Sequence, residues 1–258
     1  MNDCILAVDV GNSRVKFGVF RPDGSGVIPI ELAACSLRHH QDVADQLSSW
    51  AEGRDVGRSI MAGSNPPIRE RLASEWPSSL PAPEIIHAPQ TVPVRLAVDQ
   101  PEAIGIDRVL NAWAAVRLCP DQDIIVVDAG TATTIDLVTS DAVFRGGSIL
   151  PGLWLSAYAL HNYTARLPLI DVDAQLPELP RLPGANTDEA IRSGLYWGQL
   201  GAIREIVGRL CEMCEEATSQ LILTGGGSRQ LMPHFESGLW IDSLALCGLA
   251  FLAADAAE

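Results

Sequence analysis

The sequence contains one local unit twice: an apolar strand, an Asp-x-Gly turn and a second strand. The first copy places Asp9-Val10-Gly11 after Ile5–Val8, and the second places Asp128-Ala129-Gly130 after Ile124–Val127. A single Asp-x-Gly is a common turn and carries little information. Here each copy opens a run of three predicted strands that is followed by helices, which indicates a duplicated α/β unit. The repeat therefore predicts a fold of two related lobes with a cleft between them.

This repeat also predicts how the 258-residue chain is divided. We expect an N-terminal lobe over residues 1–118 and a C-terminal lobe over residues 119–258. A third element of interest is the apolar strand Leu221–Thr224, which runs into Gly225-Gly226-Gly227. Consecutive glycines weaken regular structure. They are explained either by a flexible turn or, as the two Asp-x-Gly turns favour, by close approach of the backbone to a ligand.

Charge narrows the possible partners. The chain has 18 basic and 32 acidic residues, for a net charge of −14. Nucleic acids and anionic membrane surfaces usually bind basic patches, so we expect neither as a partner. An anionic substrate must then be held locally by backbone amides, a metal ion or a few cations. With no long apolar run or signal-like start, and with six scattered cysteines, the sequence predicts a cytoplasmic protein with reduced thiols.

The predicted turns suit a nucleoside triphosphate. Backbone N–H groups in such turns form a concavity that binds anions, and a carboxylate at each turn can organise hydrated Mg²⁺. Lys16 is the single lysine among the 18 basic residues and follows the first turn closely. A lysine on a strand is usually just solvated, but its position here favours contact with terminal phosphate oxygens.

The motifs resemble, in order and over nearly the whole chain, those of the type III pantothenate kinase family in the actin, hexokinase and Hsp70 superfamily. The resemblance implies an α/β fold of two ribonuclease-H-like lobes, with an ATP cleft between them. It also implies ATP-dependent phosphorylation of pantothenate, the first step of coenzyme A biosynthesis, by a homodimer. The motifs that carry it include Asp9–Lys16, Gly105–Arg108, Asp128–Thr134, Gly146–Gly152, Thr164–Pro168, Asn186-Thr187 and Thr224–Gly226.

The resemblance assigns roles to individual residues. It implies Asp107 as the catalytic proton acceptor and Asp128 as the ligand of a monovalent cation, K⁺ or NH₄⁺. From the residues alone, Asp107 and Arg108 could equally form a surface ion pair, and Asp128 could equally help to hold Mg²⁺. The residues implied in ATP binding are Asp9, Val10, Gly11, Asn12, Ser13, Arg14, Val15, Lys16 and Thr131. Those implied in substrate binding are Gly105, Ile106, Asp107, Arg108 and Thr187.

Two details limit the resemblance. Thr187 matches a substrate-contacting threonine, but it could also be the N-cap of the helix that follows. Seven residues before Gly105 the family usually has a tyrosine that packs on the substrate, and this chain has Val98. The detailed shape of the substrate pocket is therefore open. The alternatives are a kinase of another small hydroxy acid, or a non-catalytic regulator on the same fold, similar to the Bvg accessory factor proteins.

Overall fold

The computed structural model describes residues 4–22, 27–36, 42–172, 179–214 and 219–256. The chain contains both strands and helices, and two runs of three consecutive strands, β1–β3 and β7–β9, are each followed by helices, as predicted. The strands are β1 (Cys4–Val10), β2 (Arg14–Pro22), β3 (Val27–Ser36), β4 (Val56–Ala62), β5 (Pro83–Ile85), β6 (Arg95–Leu96), β7 (Ile124–Ala129), β8 (Ala132–Thr139), β9 (Val143–Pro151), β10 (Gln220–Thr224) and β11 (Leu239–Trp240). The α-helices are α1 (Val43–Ala51), α2 (Pro66–Ser74), α3 (Ile106–Leu118), α4 (Leu153–Asn162), α5 (Thr187–Cys211), α6 (Ser228–Leu231) and α7 (Leu244–Asp255).

The strands form two sheets with the same internal order. The first sheet runs β3-β2-β1-β4-β5, with β2 antiparallel to β1 and β4 parallel to it. The second runs β9-β8-β7-β10-β11, with β8 antiparallel to β7 and β10 parallel to it, and β6 lies outside β9. When β6 is set aside and the five other strands of each sheet are numbered from 1 to 5 in chain order, both sheets have the strand order 3-2-1-4-5. The duplicated unit read from the sequence is therefore present as duplicated topology.

The chain forms two compact units. Unit 1 contains residues 1–121, 141–144 and 243–258, and unit 2 contains residues 122–140 and 145–242. The contacts differ here from the predicted division, because the last helix, α7, belongs to unit 1. It packs on α3, β1 and β4. The reason is its composition: α7 is apolar around its whole circumference, with nine buried residues, and such a helix needs neighbours on all sides.

The core of unit 1 explains why its central strands are almost continuously apolar. Leu6, Val8 and Val10 of β1 pack with the first two helices on one face of the sheet. β1 also packs on α7. A strand covered on both faces loses the polar alternation of an exposed sheet. The core of unit 2 is built in the same way, from β7, β8 and β10 with side chains of α5.

Candidate functional site

The first hairpin of unit 1 brings Asp9 and Lys16 together. These two residues are opposite each other in the β1–β2 register. Directly opposed residues on antiparallel strands share a face of the sheet, so the carboxylate and the ammonium lie on the same side. Asp9 is 7% exposed and Lys16 is half-buried. The Lys16 ammonium makes no hydrogen bond or ion pair with any residue that the structure describes, so its three N–H donors are available to a ligand.

The turn of this hairpin presents backbone rather than side chains. The Gly11 N–H donates to the Arg14 carbonyl at 3.0 Å and closes the turn. A Cβ at Gly11 would lie 3.0 Å from the same oxygen, which is why glycine fits here. Val10 and Val15 are fully buried in the core. In the predicted ATP segment these two valines can therefore contribute only their main-chain groups.

The Gly105–Arg108 motif forms the N-terminus of α3, in unit 1. The Asp107 carboxylate accepts a hydrogen bond from the Arg108 N–H at 2.9 Å, and lies in the first turn, where the helix dipole favours negative charge. A Cβ at Gly105 would lie 2.5 Å from the Asp107 Oδ1 atom. Glycine at position 105 therefore leaves room for the carboxylate. The Arg108 guanidinium carbon lies 5.4 Å from the centre of the Phe144 ring, a cation–π contact.

Two other positions in and near this motif carry apolar side chains that are buried or half-buried. Ile106 is 6% exposed and its side chain belongs to the core. Val98, at the position where the resemblance implies a tyrosine, is half-buried.

In unit 2, the second hairpin and the glycine loop meet at Asp128. Asp128 is half-buried at the end of β7, opposite Thr224 of β10. Gly225 follows with φ +87°, and a Cβ there would lie 2.3 Å from the Asp128 Oδ1 atom. The glycine is thus required both by its backbone conformation and by the carboxylate beside it. Sequence reasoning expected a close approach to a ligand at this loop, and the structure adds a close approach to Asp128.

The second turn is shorter and is anchored by a glycine that the sequence did not single out for this role. The Gly130 N–H donates to the Ala132 carbonyl at 3.1 Å. The Gly152 N–H donates to the Thr131 carbonyl at 3.0 Å, and a Cβ at Gly152 would lie 2.3 Å from the Gly130 oxygen. Gly152 is the N-cap residue of α4, far along the chain, and no local pattern links it to the turn. Half-buried Thr131 is held in place by this contact.

Thr187 is exposed at the first position of α5. The suggestion that it is the N-cap is wrong, because Asn186 has that role. The Asn186 Oδ1 atom accepts from the Glu189 N–H at 2.9 Å, and the Glu189 carboxylate accepts from the Ala185 N–H at 2.8 Å and from the Asn186 side-chain amide at 2.9 Å. This reciprocal cap leaves the Thr187 hydroxyl out of the capping pattern. The Ala185 hydrogen bond is the main cause that lowers the pKa of Glu189.

The residues present fit a divalent metal ion that keeps most of its water ligands better than one that is bound by protein side chains alone. Among the described residues, no three His, Cys, Asp or Glu side chains come together as a metal cluster. Mg²⁺ usually keeps several waters and is held by one or two carboxylates together with substrate phosphates. Asp9 near the end of β1 and, as the alternative to a monovalent-cation role, Asp128 near the end of β7 are each a single carboxylate that could hold such an ion together with phosphates.

Two sheets of one topology, each with an aspartate at its first hairpin, define the class: an α/β protein with an actin-like fold. A Baf family protein from Campylobacter jejuni has a solved structure that matches with a TM-score of 0.60 and 20% identity, covering 98% of this chain and 100% of that one. At that identity the match concerns the fold alone. It confirms the predicted fold class.

The sequence comparisons identify the family. The sequence profile of type III pantothenate kinase matches residues 5–209. A type III pantothenate kinase from Dinoroseobacter shibae is 32% identical, with 95% of this chain and 96% of the relative covered. One from Chlorobaculum parvum is 33% identical, with 93% and 90% covered. The chain belongs to the type III pantothenate kinase family. The predicted enzyme class, a kinase, is confirmed.

Proposed function

We propose that this protein transfers the terminal phosphoryl group of ATP to the primary hydroxyl of pantothenate, the first step of coenzyme A biosynthesis. The family match over residues 5–209 carries the proposal. In unit 1, the Asp9–Lys16 hairpin would bind the phosphates of ATP through turn amides and the Lys16 ammonium, with Asp9 orienting the hydrated metal. The metal supplies charge neutralisation when bound. Thr131 of unit 2 is assigned to ATP binding as well.

Asp107 is assigned as the residue that accepts the proton of the attacking hydroxyl. An ordinary aspartate is a weak base for an alcohol. This is sufficient because the transition state of phosphoryl transfer is loose and the proton moves late. Its position at the start of α3, with Gly105 leaving space beside it, supports a role in holding the hydroxyl in line. Arg108, with Gly105, Ile106 and Thr187, is assigned to the binding of pantothenate.

One assay tests the activity and its substrate. Purified protein receives Mg·ATP and either pantothenate or a panel of other small hydroxy acids, and ADP release is measured. We expect release with pantothenate. Release only with another acid would favour the alternative kinase, and no release with any acid would favour the non-catalytic regulator.

The Asp107→Asn variant tests the proposed base. The amide oxygen can still accept from the Arg108 N–H, so the start of α3 is kept, but it cannot take up the proton. We expect kcat to fall about 100- to 10,000-fold with an unchanged melting temperature. Activity near that of the wild type would remove Asp107 from this role.

Asp128 is assigned as the ligand of a monovalent cation, K⁺ or NH₄⁺. Its half-buried carboxylate, whose Oδ1 atom would lie 2.3 Å from a Cβ at Gly225 and 3.5 Å from one at Gly130 in the second turn, supports this assignment. We expect turnover with Mg·ATP to depend on added K⁺ or NH₄⁺ in a buffer of a bulky organic cation. Full turnover without either ion would leave the direct or water-mediated Mg²⁺ role as the better assignment.

We also propose that the protein is a cytoplasmic homodimer. Large apolar side chains are exposed on β9 and α4 in unit 2, including Ile149 at 62% and Tyr158 at 43%. A second copy would remove them from water. All six cysteines are free thiols, as is usual in the cytosol. None of the helices in the described part of the chain combines the length and apolar character needed to cross a bilayer. Light scattering after gel filtration measures the dimer, and an Ile149→Glu variant should shift it toward monomer.

A further inference from the structure

Arg69 is a buried cation that the proposed mechanism does not use. It lies in the first turns of α2 and is only 9% exposed. Its Nη1 group donates to the Gly63 carbonyl over a long 3.4 Å, and its Nε atom is buried without a hydrogen-bond partner. Within the described ranges of the chain, no carboxylate forms an ion pair with it.

Such an arrangement is unfavourable in the protein alone. Arginine remains protonated in proteins, so burial cannot be relieved by loss of the charge. A buried charge without a partner costs several kcal/mol, and for this reason buried arginines are almost always paired. The neighbouring Arg71 is exposed and pairs with Glu75 at 3.0 Å in the ordinary way. The contrast favours as the partner of Arg69 an anion that is not among the residues that the structure describes.

The position of Arg69 identifies the kind of anion. Its hydrogen-bond acceptor, Gly63, packs directly on the end of β1, where a Cβ would lie 2.2 Å from the Val10 carbonyl oxygen. The Asn65 N–H donates to that same oxygen at 3.3 Å. Val10 immediately precedes the Gly11 turn. Arg69 is therefore held against the segment that joins the phosphate-binding hairpin to the core of unit 1.

We propose that Arg69 is a further ligand of the terminal phosphate groups of the nucleotide, beside Lys16. The proposal rests on the assignment of the first hairpin to ATP. The planar guanidinium can donate two parallel N–H bonds to a phosphate, which the point charge of a lysine cannot do. A second cation here also explains how so acidic a chain holds a polyanion.

The Arg69→Met variant tests the proposal by two opposite effects. Methionine keeps an apolar side chain but removes the unpaired charge, so the melting temperature of the free protein should rise. The dissociation constants of Mg·ATP and Mg·tripolyphosphate, measured by calorimetry without pantothenate, should rise about 10- to 100-fold, together with the KM for ATP. Arg71→Met is the matched control and should leave both dissociation constants unchanged.

A purely structural role of Arg69 predicts the opposite effects on the melting temperature and on the affinity. If Arg69→Met lowers the melting temperature and leaves the affinity for Mg·tripolyphosphate unchanged, the proposal is wrong. If that variant does not fold, the Arg69→Lys variant is measured instead, because lysine keeps the positive charge but cannot donate two parallel N–H bonds to a phosphate. A weaker affinity of this variant for Mg·tripolyphosphate supports the proposal. An unchanged affinity overturns it. Wild-type protein that binds Mg·tripolyphosphate but does not phosphorylate pantothenate would refute the proposed substrate and leave the role of Arg69 to be judged by these binding data.

Discussion

At the scale of single residues, the predicted catalytic group depends on the absence of a side chain next to it. The Asp107 carboxylate occupies space that a Cβ at position 105 would enter, at 2.5 Å from its Oδ1 atom. The Arg108 N–H holds the same oxygen at 2.9 Å. Gly105 and Arg108 thus restrict the carboxylate from two sides. A proton acceptor for an in-line reaction needs this kind of restriction, because small displacements are costly.

We therefore expect Gly105→Ala to lower kcat while leaving the fold intact. The added methyl group meets the end of a side chain that can rotate away, so the free energy of unfolding should change little. The rotated carboxylate would be misplaced for catalysis, at a cost of about 10- to 100-fold in kcat. Steady-state kinetics and urea unfolding of the same preparation measure the two effects. A large loss of stability with normal kcat per folded molecule would contradict this explanation.

At the scale of elements, the start of α5 shows how a local sequence fixes a helix end. Asn186 and Glu189 cap the helix reciprocally and satisfy N–H groups that would otherwise lack partners. Thr187, assigned to pantothenate, is the first residue after this cap. The cap therefore determines where the Thr187 hydroxyl is presented.

The lowered pKa of Glu189 gives this cap a pH dependence. The folded state binds the proton more weakly than the unfolded state, so the stabilisation is complete above the ordinary glutamate pKa of about 4.3. It is lost as the pH falls through the lowered value of the folded state. Urea unfolding of wild type and Glu189→Gln should differ most near neutral pH, and the difference should shrink in acid. A difference that is constant with pH would mean that the charge of Glu189 does not contribute.

At the scale of the whole molecule, the end of the chain completes the first unit. α7 covers β1 and β4 and packs on α3, the helix that begins with the proposed catalytic motif. The contact is very close: a Cβ at Gly248 would lie 2.3 Å from the Leu110 carbonyl oxygen. The last helix therefore supports the position of Asp107 through the backbone of α3.

Gly248→Ala should destabilise the protein, since the methyl group would meet backbone that cannot rotate away. We expect a loss of about 1–3 kcal/mol in the free energy of unfolding, and a lower kcat if α3 shifts. Gly201→Ala in α5 is the control, because no described atom outside the adjacent helix backbone lies within 4 Å of the added Cβ. It should stabilise the protein by about 0.5–1 kcal/mol through better helix propensity. Equal effects of the two substitutions would contradict a close α3–α7 contact. Thermal or urea unfolding measures both.

The sequence by itself determined the duplicated strand–turn–strand units, the glycine loop after Thr224 and the family, because each of these is written in consecutive residues. It did not reveal that α7 joins the first unit, that Gly152 anchors the turn at Thr131, or that Arg69 is buried against the Gly63 carbonyl. Each of these depends on residues that are distant in the chain or on the burial of one side chain among many. Only the packing of the chain decides which backbone groups meet and which charges lose their water.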